Sequence, residues 1–442
     1  MRARQSRPRL IQAMIDAFSL PDLRQKLLIT LGVLVAFRFV AHVPVAGVNV
    51  DALRQLFERN ALLGMLDLFS GGAMRNFSVA AMGVYPFITA SIILQLMTPI
   101  IPKLQALSQE GEAGRNKMVV ITYWMTVPLA ALSGYGQLVL LQRSNPPVIA
   151  SMEVLQTVSI VLSMIAGTMF LIWLGEIITD YGIGNGLSII IFAGIVTSIP
   201  QMIGQGVLAG RQGQILGLIF YVLVTLATIV AIVIFTEAQR RIPVQFAKQV
   251  VRGGRMYRQS GTSHIPLRVN TAGMIPVIFA SSMTLFPSVI ASYFANAATE
   301  EPNLANDIVN IFKPDASIPL GLVYWGLLFL LTIGFAFFYT TVLMEQQDLP
   351  GNLQRQGGFV PGIRPGKRTA DYLGAVIGRI TWAGAIFLAV VAIIPFIVRE
   401  ATGIQLVQLS SMGLLIMVGV ILDTMKQIEG QLLMRRYEGF IK

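Results

Sequence analysis

Residues 61–98 read ALLGMLDLFSGGAMRNFSVAAMGVYPFITASIILQLMT. The stretch is largely apolar and about twice as long as one crossing needs, since about 20 helical residues span ~30 Å of hydrocarbon. It is broken at Ser70-Gly71-Gly72 and again by Arg75 and Asn76. A glycine inside a helix costs about 1 kcal/mol relative to alanine, and the charge does not belong in lipid. The pattern predicts a short segment, Leu62 to Phe69, that dips in from outside, turns, and leads into a membrane span. Irregular backbone at that depth is tolerated only against protein or a water-filled cavity. An amphipathic helix lying on the external surface is the competing reading.

The rest of the chain supplies such surroundings. Of its 442 residues, 54% are hydrophobic and 12% are charged, about half the charge of an ordinary soluble domain. Runs of apolar residues long enough to cross a bilayer recur throughout, giving ten spans at about 24–43, 77–98, 117–140, 153–175, 186–204, 214–236, 271–294, 319–344, 373–396 and 405–427. An even number places both termini on one side. Of the 33 Lys and Arg residues, 25 fall on the side of the termini, in the N-terminal tail, loops 2/3, 6/7 and 8/9 and the C-terminal end. Seven fall on the other side, and Arg38 lies inside span 1. Positive charge marks the cytoplasmic face, so both termini are expected there. The external loop 7/8 is acidic, with Glu300, Glu301, Asp307 and Asp315. The basic start, Met1 to Gln12, has no apolar core or cleavage site, so removal of a signal peptide is not expected.

The fold class expected is therefore an all-α polytopic membrane protein. Residues 1–204 hold spans 1–5, 205–213 form an external loop, and 214–442 hold spans 6–10 with long polar loops at about 237–270 and 345–372. Two halves with an odd number of spans each lie in opposite orientations, the inverted-repeat arrangement of many transport proteins. No residue-level repeat between the halves accompanies it.

Chemistry that would mark an enzyme is missing from the sequence. There is no cysteine, and His42 and His264 are the two histidines, which excludes disulfides, thiolate metal sites and cysteine nucleophiles. No cofactor is expected. Acidic residues fall in loops or near span ends, as with Glu176, Glu237, Glu345 and Asp423, whereas coupled transporters place carboxylates near mid-span. Arg38 is expected at a helix interface or snorkelling to water. Gly182-Ile183-Gly184-Asn185-Gly186 is glycine-rich but joins two spans and follows no strand, so it is a weak nucleotide motif. Polar residues concentrate in loops 6/7 and 8/9. Alternation around Ile242–Phe246 and a Gly253-Gly254 turn predict a protruding hairpin. Pro/Gly pairs in Phe359-Val-Pro-Gly-Ile-Arg-Pro-Gly fix a rigid turn that holds Arg364. Such loops serve either to fix topology against anionic lipid or to dock an anionic partner.

Six motifs, in order, carry a resemblance. They are Phe69-Ser-Gly-Gly, Tyr85-Pro-Phe-Ile-Thr-Ala-Ser-Ile-Ile-Leu-Gln-Leu, Glu110-Gly-Glu-Ala-Gly-Arg, the run from Gly182 to Val196, Val269-Asn-Thr-Ala-Gly-Met-Ile-Pro and Phe359-Val-Pro-Gly-Ile-Arg-Pro-Gly. Together, from about Pro21 to Glu438, they make the chain resemble the SecY/Sec61-alpha family of protein-conducting channel subunits. The resemblance implies two inverted five-helix halves, hinged at loop 5/6, around a central hourglass pore, with a lateral gate between spans 2 and 7. It implies an apolar pore ring of Val84, Ile88, Leu187, Ile191, Ile278 and Ile416, where Val84 and Leu187 replace the isoleucine the family favours. It implies a plug at about 62–75, containing Leu62, Met65, Leu66, Leu68, Phe69, Ser70, Gly71 and Gly72. Arg240, Arg241, Lys248, Arg252, Arg255 and Arg364 would dock the SecA ATPase or the ribosome. SecE and SecG subunits, signal sequences, unfolded preproteins and membrane lipid would be the other partners, with no nucleic acid beyond ribosomal contacts, in the bacterial cytoplasmic membrane. A passive channel results, and a secondary transporter for a small solute or an intramembrane enzyme are its rivals.

Overall fold

A computed structural model describes residues 18, 20–45, 48–49, 52–53, 67, 70–142, 148–149, 153–211, 215–252, 255–294, 303–312, 319–347, 349–364, 366–402 and 411–441. Its helices are α1 (Pro21–Val40), α2 (Tyr85–Met97), α3 (Pro102–Gln109), α4 (Glu112–Gln142), α5 (Val154–Tyr181), α6 (Gly186–Arg211) and α7 (Ile215–Glu237). The strands β1 (Gln239–Arg252) and β2 (Arg255–Arg268) follow, then α8 (Ile275–Phe294), α9 (Leu304–Ile311), α10 (Gly321–Gln347) and α11 (Leu349–Arg355). Strand β3 (Gly358–Phe359), α12 (Lys367–Thr402) and α13 (Ser411–Ile441) complete the order.

A helix lies over each of the ten expected spans. Among the described residues, α4, α5, α7, α12 and the stretch Gly321–Arg355 are long and apolar enough to cross a membrane. The pair α2 and α3 passes the same test together but bends by 101°. This is a multi-pass membrane protein. Its apolar surface agrees: on α7, Leu216 is 83% exposed and Ile234 60% exposed, a face that water would not tolerate but lipid tails cover. Several hydroxyls within the helices are satisfied locally. Thr126, Thr284 and Thr332 each donate to the carbonyl four residues back at 2.7 Å, which removes the penalty of a lone polar group in hydrocarbon.

Three expectations are corrected. Span 2 is not helical from residue 77: α2 starts at Tyr85, and its 13 residues reach only about 20 Å. Residues 77–79 instead pair with the strand-like segment after α1, Val45 donating to Phe77 and Val79 to Val43, so the backbone is satisfied without a helix. Second, α6 continues to Arg211, making residues 205–211 of the expected external loop helical. Its interior glycines cost too little to stop a helix. Third, the chain is not all-α. Loop 6/7 forms a hairpin in which Gln239 pairs with Arg268 and Arg252 with Arg255. Loop 8/9 contributes β3 to the same sheet, with Gln245 opposite Phe359 and Phe246 opposite Gly358. The order is β2-β1-β3. Ile242 and Val244 turn inward onto Leu353, Val360, Leu373 and Val376, as the two-residue period requires.

Candidate functional site

The site is built around the turn that interrupts residues 61–98. Gly71 and Gly72 adopt φ of 69° and 83°, a left-handed conformation that glycine reaches without strain. The turn is closed by its own side chains. Ser70 Oγ donates to the Asp67 carbonyl at 3.0 Å and accepts the Met74 N–H at 3.1 Å. Asp67 Oδ2 accepts from Arg75 Nε at 2.6 Å, and its Oδ1 accepts the Arg75 N–H at 3.3 Å. Asp67 is buried, and a buried carboxylate needs such a partner. The sequence reading flagged Arg75 as out of place in lipid; the ion pair with Asp67 is what it missed. Two opposite charges flanking a Gly-Gly turn in an otherwise apolar stretch are the signal that would have shown it.

The turn is seated against two helices. A side chain at Gly71 would meet the ring of Phe37 on α1. A Cβ on Gly194 of α6 would overlap the Gly71 Cα, so two backbones touch where both residues lack a side chain. Arg38 Nη1 donates to the Gly71 carbonyl at 3.4 Å, which puts this arginine at the interface reading rather than the snorkelling one. Asn76 Nδ2 donates to the Ala41 carbonyl at 3.4 Å. Gly71 and Asn76 therefore lie against the helix bundle. Ser70, Gly71 and Gly72 of the expected plug are seen there; Leu62, Met65, Leu66, Leu68 and Phe69 lie outside the described residues.

The six residues expected to line a ring come from four separate parts of the chain and belong to one apolar cluster. Val84, Ile191, Ile278 and Ile416 are buried in it, and Ile88 and Leu187 pack against it half-buried. Val84 precedes α2 and its carbonyl accepts the Ile88 N–H at 3.1 Å, so the two share a face. Leu187 and Ile191 stand likewise on α6, with Gly194 three residues further along the same face. Phe37, Ala73 and Met74 join this cluster, so the turn and the six residues are parts of one packed region.

On the basic side, Arg240 and Arg241 are exposed at the foot of β1, and Arg364 is exposed in the turn after β3. Lys248, Arg252 and Arg255 occupy the outer half of the hairpin backbone. Gly362 and Gly366, with φ of 81° and 99°, frame Arg364, whose carbonyl accepts from Thr369 Oγ1 at 3.0 Å. The two polar loops thus form one platform, a union the sequence did not reveal. Among the described residues there is no group of His, Asp or Glu that could hold a metal.

The family model for SecY matches residues 78–425. The chain belongs to the SecY family. A SecY relative, the protein translocase subunit SecY of Thermotoga maritima, is 41% identical over 440 residues and 98% of each chain. The fold is similar to that of a protein-conducting channel, with a TM-score of 0.66 at 16% identity over 96% of each chain. It is also similar to a SecY structure whose plug domain stabilises the closed state and maintains a membrane seal, with a TM-score of 0.64 at 16% identity over 96% of each chain.

Proposed function

We propose that this SecY-family chain is the central subunit of a protein-conducting channel, passing unfolded polypeptides across the bacterial cytoplasmic membrane and releasing apolar segments sideways into the bilayer. Ten spans form two inverted five-helix halves, residues 1–204 and 214–442, around an hourglass pore, with both termini cytoplasmic. The observation that carries the reading is the convergence of Val84, Ile88, Leu187, Ile191, Ile278 and Ile416 on one cluster whose α6 wall is touched by the Gly71 turn. An unfolded chain has no shape to recognise, so the suitable constriction is a flexible apolar gasket that seals by contact and dewetting. The turn, with the segment at about 62–75, acts as the plug of that gasket in the closed state, the role that the plug domain has in the matched SecY structure.

The channel supplies no energy and catalyses no reaction. A motor or a ribosome drives it, docking on the basic platform of Arg240, Arg241, Lys248, Arg252, Arg255 and Arg364, where charge steers an anionic partner. SecA, the ribosome, SecE and SecG are the partners proposed. Signal sequences and membrane spans leave through a lateral gate between α2 and α8, partitioning by their own hydrophobicity.

The test uses the absence of cysteine. A single cysteine replaces Ile278, another is placed in a stalled secretory chain, and the complex is reconstituted with SecE and SecA. A disulfide that forms only with ATP and a signal sequence places polypeptide in the constriction. No disulfide in a correctly inserted protein rejects the ring and reopens the small-solute transporter.

A further inference from the structure

The turn Gly182-Ile183-Gly184-Asn185-Gly186 joins α5 to α6, and its backbone N–H groups are divided among three helices. Ile183 N–H is accepted by Thr30 Oγ1 of α1 at 3.2 Å. Gly184 N–H is accepted by Gln427 Oε1 of α13 at 2.8 Å. Gly186 N–H is accepted by Thr179 Oγ1 of α5 at 3.0 Å, and Asn185 Oδ1 caps α6 by accepting the Ser188 N–H at 3.1 Å. Donors that a helix start leaves orphaned are here bonded to neighbouring elements.

Each glycine answers a different neighbour. A Cβ on Gly182 would stand 2.5 Å from Thr30 Oγ1, and one on Gly186 would overlap the Gly175 carbonyl. Gly184 has φ +89° and lies beside Thr424 of α13. Beneath the turn, Leu23 of α1, Ile183 and Ile428 of α13 form a small buried apolar cluster, packed by Leu27 and Met425. The motif is a built joint, and its glycine content comes from close packing rather than phosphate binding.

In the reading proposed above, on which this inference rests, α1, α5 and α6 belong to the first half and α13 to the second. The covalent link between the halves leaves α6 at its far end, after Arg211, and α13 packs along α6. We propose that the Gly182–Gly186 turn and Gln427 form a second, cytosolic pivot between the halves. With the covalent link it fixes two points at opposite ends of α6, and two fixed points define one axis of rotation. The halves then swing apart at the edge remote from α6 and α13, without sliding past one another.

A cysteine pair at Ile183 and Ile428, bridged by a short bis-maleimide, tests this in proteoliposomes with SecA, ATP and a preprotein. The bridged protein should translocate with no loss of rate relative to the unbridged pair. Gln427→Leu, which removes the acceptor, should raise ion leak at least about fivefold, whereas Gln427→Glu, which keeps an acceptor, should not. Loss of translocation only on bridging shows that this edge must open and overturns the pivot; so does an unchanged leak in Gln427→Leu. Failure of bridged and unbridged protein alike, with the native chain also inactive, rejects the channel reading and the pivot with it.

Discussion

Replacing Gly194 with alanine should unseat the Gly71 turn. The added methyl would fall on the Gly71 Cα, and the obstacle is backbone, which cannot rotate away. Restoring carbon–carbon contact at about 3.5 Å requires the turn to withdraw by on the order of 1 Å. The Arg38–Gly71 contact, already 3.4 Å long, then leaves hydrogen-bonding range. Overpacking of this kind costs about 1–3 kcal/mol, a factor of about 5–150 between seated and unseated turns. The assay is ion conductance of the purified complex in planar bilayers at fixed protein density. Gly194→Ala should leak more by a factor within that range, and Gly194→Val by more still. Gly204→Ala on the same helix is the control, because nothing lies within 4 Å of a Cβ there. In a channel lacking residues 62–75, Gly194→Ala should add nothing, since interacting changes are not additive. Parental conductance in a correctly inserted Gly194→Ala protein would refute the seal.

Deleting about Leu62–Arg75 should leave a folded channel that conducts ions more than its parent, read in the same bilayers; unchanged conductance counts against the plug. Arg364→Glu should abolish SecA-driven export by reversing charge on a rigid turn, measured as preprotein protected inside vesicles, and normal export removes that role. Asp67→Ala should increase leak a few-fold, a modest figure because Arg75 is 40% exposed and partly screened. The exchange Asp67→Arg with Arg75→Asp should recover most of the seal, and a leak equal to that of Asp67→Ala alone would show that the pair does not hold the turn.

Features that local composition determines were legible in the sequence. Apolar runs fixed where the helices lie, and alternation at Ile242 and Val244 with Gly253-Gly254 fixed the hairpin. Contacts between distant residues were not legible. Strand β3 is two residues long, too short for any period to show, yet its pairing with Gln245 and Phe246 and the packing of Ile242 and Val244 on Leu353 and Val360 unite the two basic loops. The Gly71–Gly194 approach leaves no trace in either local pattern, because a glycine that touches backbone looks like a glycine that turns it. Arg38 was placed at an interface or in water on its long stem alone; its acceptor, a carbonyl freed by the Gly71 turn, exists only once the bundle has formed. The Gly182–Gly186 run reads in the sequence as a link between two spans and joins α5 to α6, but its bonds to Thr30 and Gln427, both distant in sequence, leave no local sign.

The three-stranded sheet also has a mechanical consequence. Strand β1 leaves α7 with only Ala238 between them, β2 runs toward α8, and β3 stands just before α12, whose Leu373 and Val376 pack beneath the sheet. A load applied at the hairpin is therefore shared by three helices as a lever shares it with its mounting. All three belong to the same half of the proposed channel. A motor bearing on the hairpin alone would carry that half along as a rigid load and part nothing; to exert torque across the seam it must brace a second foothold on the other half.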